Sequence, residues 1–249
     1  MKSRKILPDS RTYREQKLDV NDEHIREAVE HTEVILPPKQ NLYTFGITNI
    51  HYFLVTEPIY TELTKDTSET VIREGRVVAE RPRIVTPYYL SSLEGFSASA
   101  RQYFDYLTRT YGRHSPGLFY SYKNEPKEMN IVSNNLLAVI DKLKAEINQR
   151  GDPLTALIKG VDELWDVALI KFAFEMTSRS LGDNVNQMGS RGLFETDSRG
   201  VPADVRQRIE SIFHQVKKGE LDPRDLKAEL DRWGLFEEYE DRFLSLFRK

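Results

Sequence analysis

The chain has 249 residues, of which 39% are hydrophobic and 30% charged, a composition typical of folded globular proteins and unlike that of disordered ones. Its formal net charge is −3, so any attraction to nucleic acid or to a membrane has to be local. Because the sequence contains no cysteine, disulfides, thiolate zinc sites, iron–sulfur clusters and cysteine nucleophiles are excluded.

Neither the opening segment nor the most apolar segment of this sequence predicts contact with a membrane. The opening residues, MKSRKILPDSRTYREQ, carry cations but lack the apolar core of a signal peptide. The most apolar stretch, from Val161 to Met176, contains five charged residues and is therefore a poor membrane span. We expect a soluble, cytoplasmic protein with no membrane partner.

In chain order, residues 1–38 are predicted to form an N-terminal arm and a short helix. Residues 1–20 are polar and without periodicity, and Asn21 can cap a helix that extends to about Thr32. Pro37 and Pro38 cannot continue that helix.

Residues 39–96 are predicted to form a small β-rich region. The segment FGITNIHYFLVTEPIY is rich in β-branched and aromatic residues and ends near Pro58. Farther along, Val71 and Ile72 face Val77 and Val78 across Glu74-Gly75. This pattern predicts a hairpin in which Gly75 adopts positive φ in a tight turn.

Residues 97–200 are predicted to form a helical body. A first helix is capped by Ser97 and ends at Gly112, with Tyr103, Phe104 and Leu107 facing inward. A second helix covers 131–149, and its apolar positions are Leu136, Val139, Ile140, Leu143 and Ile147.

The run Gly151-Asp152-Pro153 predicts that one helix ends and a third begins. That third helix extends to Leu181. Its wide apolar face predicts a central core position, with Trp165 buried, or an interface between subunits of a homo-oligomer. The face consists of Leu157, Val161, Leu164, Trp165, Ala168, Leu169, Phe172 and Met176, widened by Ile170 and Phe174. The glycines and polar residues at 182–200 predict a long loop.

Residues 201–249 are predicted to form a three-helix unit, with helices opened by Pro202 and Asp222-Pro223 and separated by Gly219 and Gly234. Its many apolar side chains have to pack together, onto the rest of the chain, or onto a protein partner. The predicted fold class is therefore α+β, with a small N-terminal antiparallel sheet that contains a hairpin, followed by a predominantly helical body.

The sequence offers weak candidates for a metal site. His24, Glu27 and His31 share one face of the first helix, but nothing nearby supplies the further ligands that a divalent ion needs. The region around Gly219 resembles an EF-hand only in outline, because Val216 and Lys218 stand where calcium requires oxygen ligands. We predict neither a metal nor a cofactor.

The segment from Arg73 to Arg113 contains seven arginines and four acidic residues, so it is locally +3 within an acidic protein. Arginine pairs with phosphate and tyrosine stacks on bases, which suits single-stranded nucleic acid. The candidate binding residues are Arg73, Arg76, Arg101, Arg109, Tyr111, Arg113, Tyr120 and Tyr122. The competing interpretation is that RTYGRHSPGLFYSYKNEP, residues 109–126, is only a corner between two structural elements.

Two functions follow from these observations. The favoured one is a non-catalytic binding or regulatory protein that contacts nucleic acid through the arginine- and tyrosine-rich region at 73–123. The alternative is an enzyme whose site is assembled from His51, His114 and the polar residues of 182–200. No nucleophile–base pair or metal set can be identified from spacing, which favours the first.

Overall fold

The structure is a computed structural model that describes residues 23–58, 69–92, 105 and 108–247. The predicted arm at 1–20, the caps Asn21 and Ser97, and the side chains of Tyr103, Phe104 and Leu107 lie outside the described residues. The chain divides into two compact units. The first comprises residues 1–80 and 122–181, and the second comprises residues 81–121 and 182–249. The four-part domain division made from the sequence stays a prediction.

The first unit contains a mixed five-stranded sheet in the order β1-β7-β2-β3-β6. Its strands are β1 (Glu33–Leu36), β2 (Thr48–Thr56), β3 (Thr70–Ala79), β6 (Tyr122–Val132) and β7 (Thr155–Lys159). β2 and β7 are parallel, whereas the other neighbouring pairs are antiparallel. The predicted mixture of helices and strands is therefore confirmed, but the sheet is not purely antiparallel as expected, because β2 and β7 are parallel. The predicted order, a small N-terminal sheet followed by a helical body, is only partly matched, since β6 and β7 come from later in the chain.

The predicted hairpin around Glu74-Gly75 was also wrong. Residues 70–79 form one extended strand, β3, which pairs with β2 along its whole length. Gly75 lies opposite Tyr52, and a Cβ atom at Gly75 would come 2.6 Å from the Cζ atom of that ring. The glycine therefore makes room for an aromatic side chain and does not turn the chain.

Helices cover part of this sheet. The first unit contains α1 (23–31), α3 (Leu136–Arg150) and the start of the long helix α4 (Trp165–Gly189). The apolar face predicted for α3 is confirmed, since all five of its predicted positions are buried against Phe53, Val55 and Leu157 of the sheet. Gly151 ends α3 in the left-handed conformation, as predicted.

The chain after Gly151 differs from the prediction. Asp152 does not cap a helix. Its carboxylate accepts hydrogen bonds from the Leu154 N–H at 2.9 Å and from the Thr155 hydroxyl at 3.1 Å, and β7 follows. The long helix begins at Trp165, so Leu157 is a strand residue. Trp165 is only half-buried, so its predicted core position was wrong.

The long helix α4 also ends later than predicted. Ser180, Asn184 and Met188 are buried at intervals of four residues, which continues one helical face to Gly189. The predicted loop at 182–200 is therefore irregular only after Gly189. Ile170 and Phe174, which were expected to widen the apolar face, are exposed.

The second unit contains the two-stranded sheet β4 (Arg83–Val85) and β5 (Gly117–Phe119), and the short helix α2 (Pro87–Ser91). A helical segment at 108–111 ends at Gly112, which has a φ of 93°. The three predicted C-terminal helices are present as α5 (Ala203–Lys218), α6 (Pro223–Arg232) and α7 (Phe236–Ser245). They share a buried cluster with Tyr89 of α2.

Candidate functional site

Several of the arginines and tyrosines that the sequence singles out hold the first unit together. The Arg73 guanidinium lies 2.7 Å from the Asp162 carboxylate and donates to the Thr56 hydroxyl at 3.0 Å. Its side chain is largely buried, and its charge lies 5.6 Å from the centroid of the Trp165 ring. Arg73 therefore already has an anionic partner within its own unit.

Arg76 and Tyr122 have partners in the first unit as well. The Arg76 Nε–H donates to the Glu125 carboxylate at 2.9 Å, in an exposed contact between β3 and β6. The Tyr122 hydroxyl forms a hydrogen bond with the hydroxyl of Thr177 on α4. These contacts give both side chains a structural role, although about half of the Arg76 side chain is exposed.

Tyr120, in the second unit, is half-buried. Its hydroxyl accepts a hydrogen bond from the Asn184 side-chain amide at 3.0 Å. Burial raises the pKa of the Tyr120 phenol, and the Asn184 hydrogen bond opposes that rise only in part. The contact ties the segment after β5 to α4 and leaves little of this ring for stacking on a base.

The remaining candidates, Arg109, Tyr111 and Arg113, are exposed on the second unit. Tyr111 is 64% exposed. The Arg113 guanidinium lies over the ring of Tyr88, 4.4 Å from its centroid, in a cation–π contact. Arg101 lies outside the part of the chain that the structure describes.

The backbone fixes this group of side chains. The Tyr88 N–H donates to the Arg113 carbonyl at 3.1 Å, which joins α2 to the turn after Gly112. The His114 ring lies 6.1 Å from the Tyr88 ring and rests on Gly200, where a Cβ atom would come 2.5 Å from the imidazole. These residues line a hollow of about 230 Å³ together with Arg199.

Tyr88 was missed as a functional candidate by sequence analysis. The signal that locates it is Thr86-Pro87, since Thr86 caps α2 through a 3.3 Å hydrogen bond to the Tyr89 N–H and Pro87 opens the helix. That short helix presents Tyr88 and Tyr89 to two different pockets.

His51, the first residue of the alternative enzyme site, lies in the first unit. Its Nε2 atom is 2.9 Å from Oε1 of Glu74, and the Lys127 ammonium donates to the same oxygen at 2.6 Å. Burial raises the pKa of the Glu74 carboxyl, but the hydrogen bonds from Lys127 and His51 outweigh it and the net pKa is lowered. His51 lines a cavity of about 540 Å³, and Arg76 and Asp152 also line it.

The other two components of the alternative site belong to the second unit. His114 lines the hollow beside Tyr88, and residues 182–189 are helical. Around the first helix, His24 and Glu27 are exposed, and His31 Nδ1 lies 2.8 Å from the Glu27 carbonyl oxygen. Within the described residues, no three His, Asp or Glu side chains are placed to hold a metal.

Comparison with known proteins gave no match to a family model, to a curated protein or to a solved structure. None of the helices in the described part of the chain has the length and apolarity that a membrane crossing requires. The expected cytoplasmic location, the homo-oligomer and a protein partner for the C-terminal helices stay predictions.

Proposed function

We propose that this chain is a non-catalytic binding protein that binds single-stranded nucleic acid on its second unit. The contact residues, here called the arginine–tyrosine surface, are Tyr88, Arg109, Tyr111, Arg113 and His114. The observation that carries the proposal is that the Arg113 guanidinium lies over the Tyr88 ring, two residues after the exposed Tyr111.

The chemistry of this surface suits a flexible strand. Arg109 and Arg113 supply guanidinium forks that pair with phosphate oxygens. Tyr111 has an open ring face, on which any base can stack, so the binding is expected to tolerate different sequences. Because the whole protein is acidic, the attraction is local and should weaken strongly as salt rises.

The alternative function, an enzyme, is supported by the His51–Glu74 contact. In nucleophilic catalysis, an imidazole acts as the general base and a neighbouring carboxylate orients it. The pair of His51 and Glu74 has this composition. Lys127 shares the same carboxylate oxygen, so the contact also serves to join β2, β3 and β6. The enzyme would be favoured if the chain turned over a generic ester or phosphate substrate and if the His51→Ala variant, while still folded, lost that activity.

The proposed binding is tested with short, fluorescently labelled single strands of RNA and DNA at low salt. Tyr111→Ala is expected to weaken binding by about 1–3 kcal/mol, because a stacking ring is lost. Tyr43→Ala is the matched control, since Tyr43 is an exposed tyrosine of the first unit and should not change the affinity. Equal effects of the two substitutions, with both proteins folded, would contradict the proposal.

A further inference from the structure

Strand β6 stands at one end of the five-stranded sheet of the first unit. Among the described strands it pairs only with β3, so its other side is an edge of the sheet. Residues 126–131 of β6 are all exposed. The edge of a sheet presents backbone N–H and C=O groups that can pair with another strand, and proteins protect long edges with lysine, proline and β-bulges.

The first half of β6 has all three kinds of protection. Lys123 and Lys127 extend from it, and about 73% and 67% of their side chains are exposed. Pro126 supplies no backbone N–H to a neighbouring strand. The register against β3 shifts after Glu74, so that Lys127 is an extra, bulged residue. This half of the edge is therefore poorly suited to pairing.

The second half of β6, Glu128–Val132, has none of these features, and we call it the open segment. It contains neither proline nor lysine, and its register against β3 is regular. Met129 and Ile131 point to the same face of the sheet and are 59% and 54% exposed. A regular edge with exposed apolar side chains is the kind that pairs with another strand.

The sequence of the open segment fits a second copy of itself. Opposed residues of antiparallel strands point to the same face, so a two-fold axis between identical strands has to place one residue opposite itself. An axis at Lys127 or at Glu128 would oppose like charges, which is unfavourable. An axis at Met129 would oppose Lys127 and Ile131. An axis at Asn130 places each Met129 opposite Ile131 of the second copy and opposes no like charges.

We infer that two copies of this chain associate through the open segment, antiparallel and with Asn130 opposite Asn130, so that their sheets join edge to edge. This interface lies on the first unit and uses no residue of the arginine–tyrosine surface, so it goes beyond the proposed binding of nucleic acid. Five paired residues per copy make a contact smaller than a standard interface of about 1,600 Å², so the dimer is expected to dissociate at micromolar concentrations.

Sedimentation of the full chain over a range of micromolar concentrations tests the association. The expected result is a reversible equilibrium between monomer and dimer. A chain that stays monomeric at the highest concentration would overturn the inference. Growth beyond the dimer would overturn it as well, because a two-fold contact closes on itself.

Ile131→Lys is expected to weaken the dimer by roughly tenfold or more, since the axis introduces the lysine twice among apolar cross-strand neighbours. Ile170→Lys is the matched control, because Ile170 is an exposed isoleucine of the same unit that lies on α4. Circular dichroism checks that both variants are folded. A dimer that Ile170→Lys abolishes and Ile131→Lys retains would place the interface on α4 and overturn the inference.

A single introduced cysteine tests the register, because the chain has no cysteine of its own. Asn130→Cys should form a disulfide-linked dimer under mild oxidation, since opposed Cα atoms about 4.5–5.5 Å apart are within reach of a disulfide. Glu128→Cys is the control. Its counterpart in the second copy lies four residues, or about 13 Å, along the strand and should not cross-link. Equal cross-linking of the two variants would overturn the register.

Salt separates this dimer from the binding of nucleic acid. Glu128 is the only charge in the open segment and lies opposite Val132 of the second copy, so the dimer should change little with salt, unlike nucleic-acid binding. The dimer should also form without nucleic acid and persist in Tyr111→Ala. A chain that binds single strands but stays monomeric would overturn the dimer alone.

Discussion

Gly75 leaves the space that the Tyr52 ring occupies in the middle of the five-stranded sheet. The residue lies between β2 and β6, and an added Cβ atom would contact the Tyr52 hydroxyl and approach the Glu125 carbonyl oxygen at 2.9 Å. Tyr52 is almost fully buried, and its hydroxyl donates to the Asn124 side chain at 3.0 Å. The small size of the glycine is therefore what this position requires.

Gly75→Ala is predicted to destabilise the protein by about 1–3 kcal/mol, as overpacking of a core does. Gly46→Ala is the matched control, because a Cβ atom at Gly46 would meet nothing within 4 Å. Urea unfolding of both variants measures the difference. Equal stability of the two variants would show that the ring of Tyr52 can move aside.

The same residue illustrates what local sequence cannot supply. Glu74-Gly75 between apolar pairs is a sound hairpin signal, and nothing in the neighbouring residues reveals that Tyr52, more than twenty positions earlier, needs the space. The prediction that a helix begins at Asp152-Pro153 was wrong for a similar reason. An aspartate carboxylate can accept backbone hydrogen bonds in a turn before a strand as well as at the start of a helix.

At the scale of the elements, amphipathic helices with clear end signals were predictable. α3 and the three C-terminal helices have buried faces where the sequence places them, although α3 begins at Leu136 and not at residue 131, because residues 131 and 132 complete β6. The long helix α4 was harder, because its apolar residues surround it and periodicity does not identify the buried side. Of two phenylalanines two positions apart, Phe172 is buried and Phe174 is 71% exposed.

This pair gives a prediction for α4. Phe172→Ala is expected to cost about 3–5 kcal/mol, because it leaves a cavity in the core. Phe174→Ala on the same helix should change the free energy of unfolding by much less. Thermal and urea unfolding of both variants measure the difference. A larger loss of stability in Phe174→Ala than in Phe172→Ala would contradict the described orientation of α4.

At the scale of the whole molecule, neither compact unit is a continuous stretch of the chain. The second unit joins residues 81–121 to 182–249, and its buried cluster combines Tyr89 with apolar side chains of α5, α6 and α7. Sequence reading divides a chain into consecutive parts, so it could not assign β4 and α2 to the same unit as the C-terminal helices.

Deletion of residues 201–249 is predicted to cause aggregation. Val85, Tyr89 and Leu90 pack against the C-terminal helices, and the other described members of that cluster lie in the deleted segment, so the truncated chain would expose these three apolar side chains. Size-exclusion chromatography and thermal melting check the outcome. A soluble, monomeric truncation that melts like the full chain would mean that the three helices form a detachable module.

The arginine–tyrosine surface was only partly predictable. Composition identified Arg109, Tyr111 and Arg113, but it could not separate them from Arg73, Tyr120 and Tyr122, whose charges or hydroxyl groups are used within the fold. The distinction depends on partners that are distant in sequence, such as Asp162 and Asn184. The exposure of each side chain and its contacts within the fold therefore reduce the candidates to Arg109, Tyr111 and Arg113.

The central claim, binding of single-stranded nucleic acid by the second unit, is tested most directly by its salt dependence. Affinity for a labelled single strand is measured over a range of salt concentrations for the parent chain and for Arg109→Gln, Arg113→Gln and Tyr111→Ala. Each arginine substitution should flatten the plot of log affinity against log salt by about 0.7, whereas Tyr111→Ala should lower the affinity and leave the slope nearly unchanged. Absence of binding at low salt, or slopes that none of the substitutions alters, would contradict the claim.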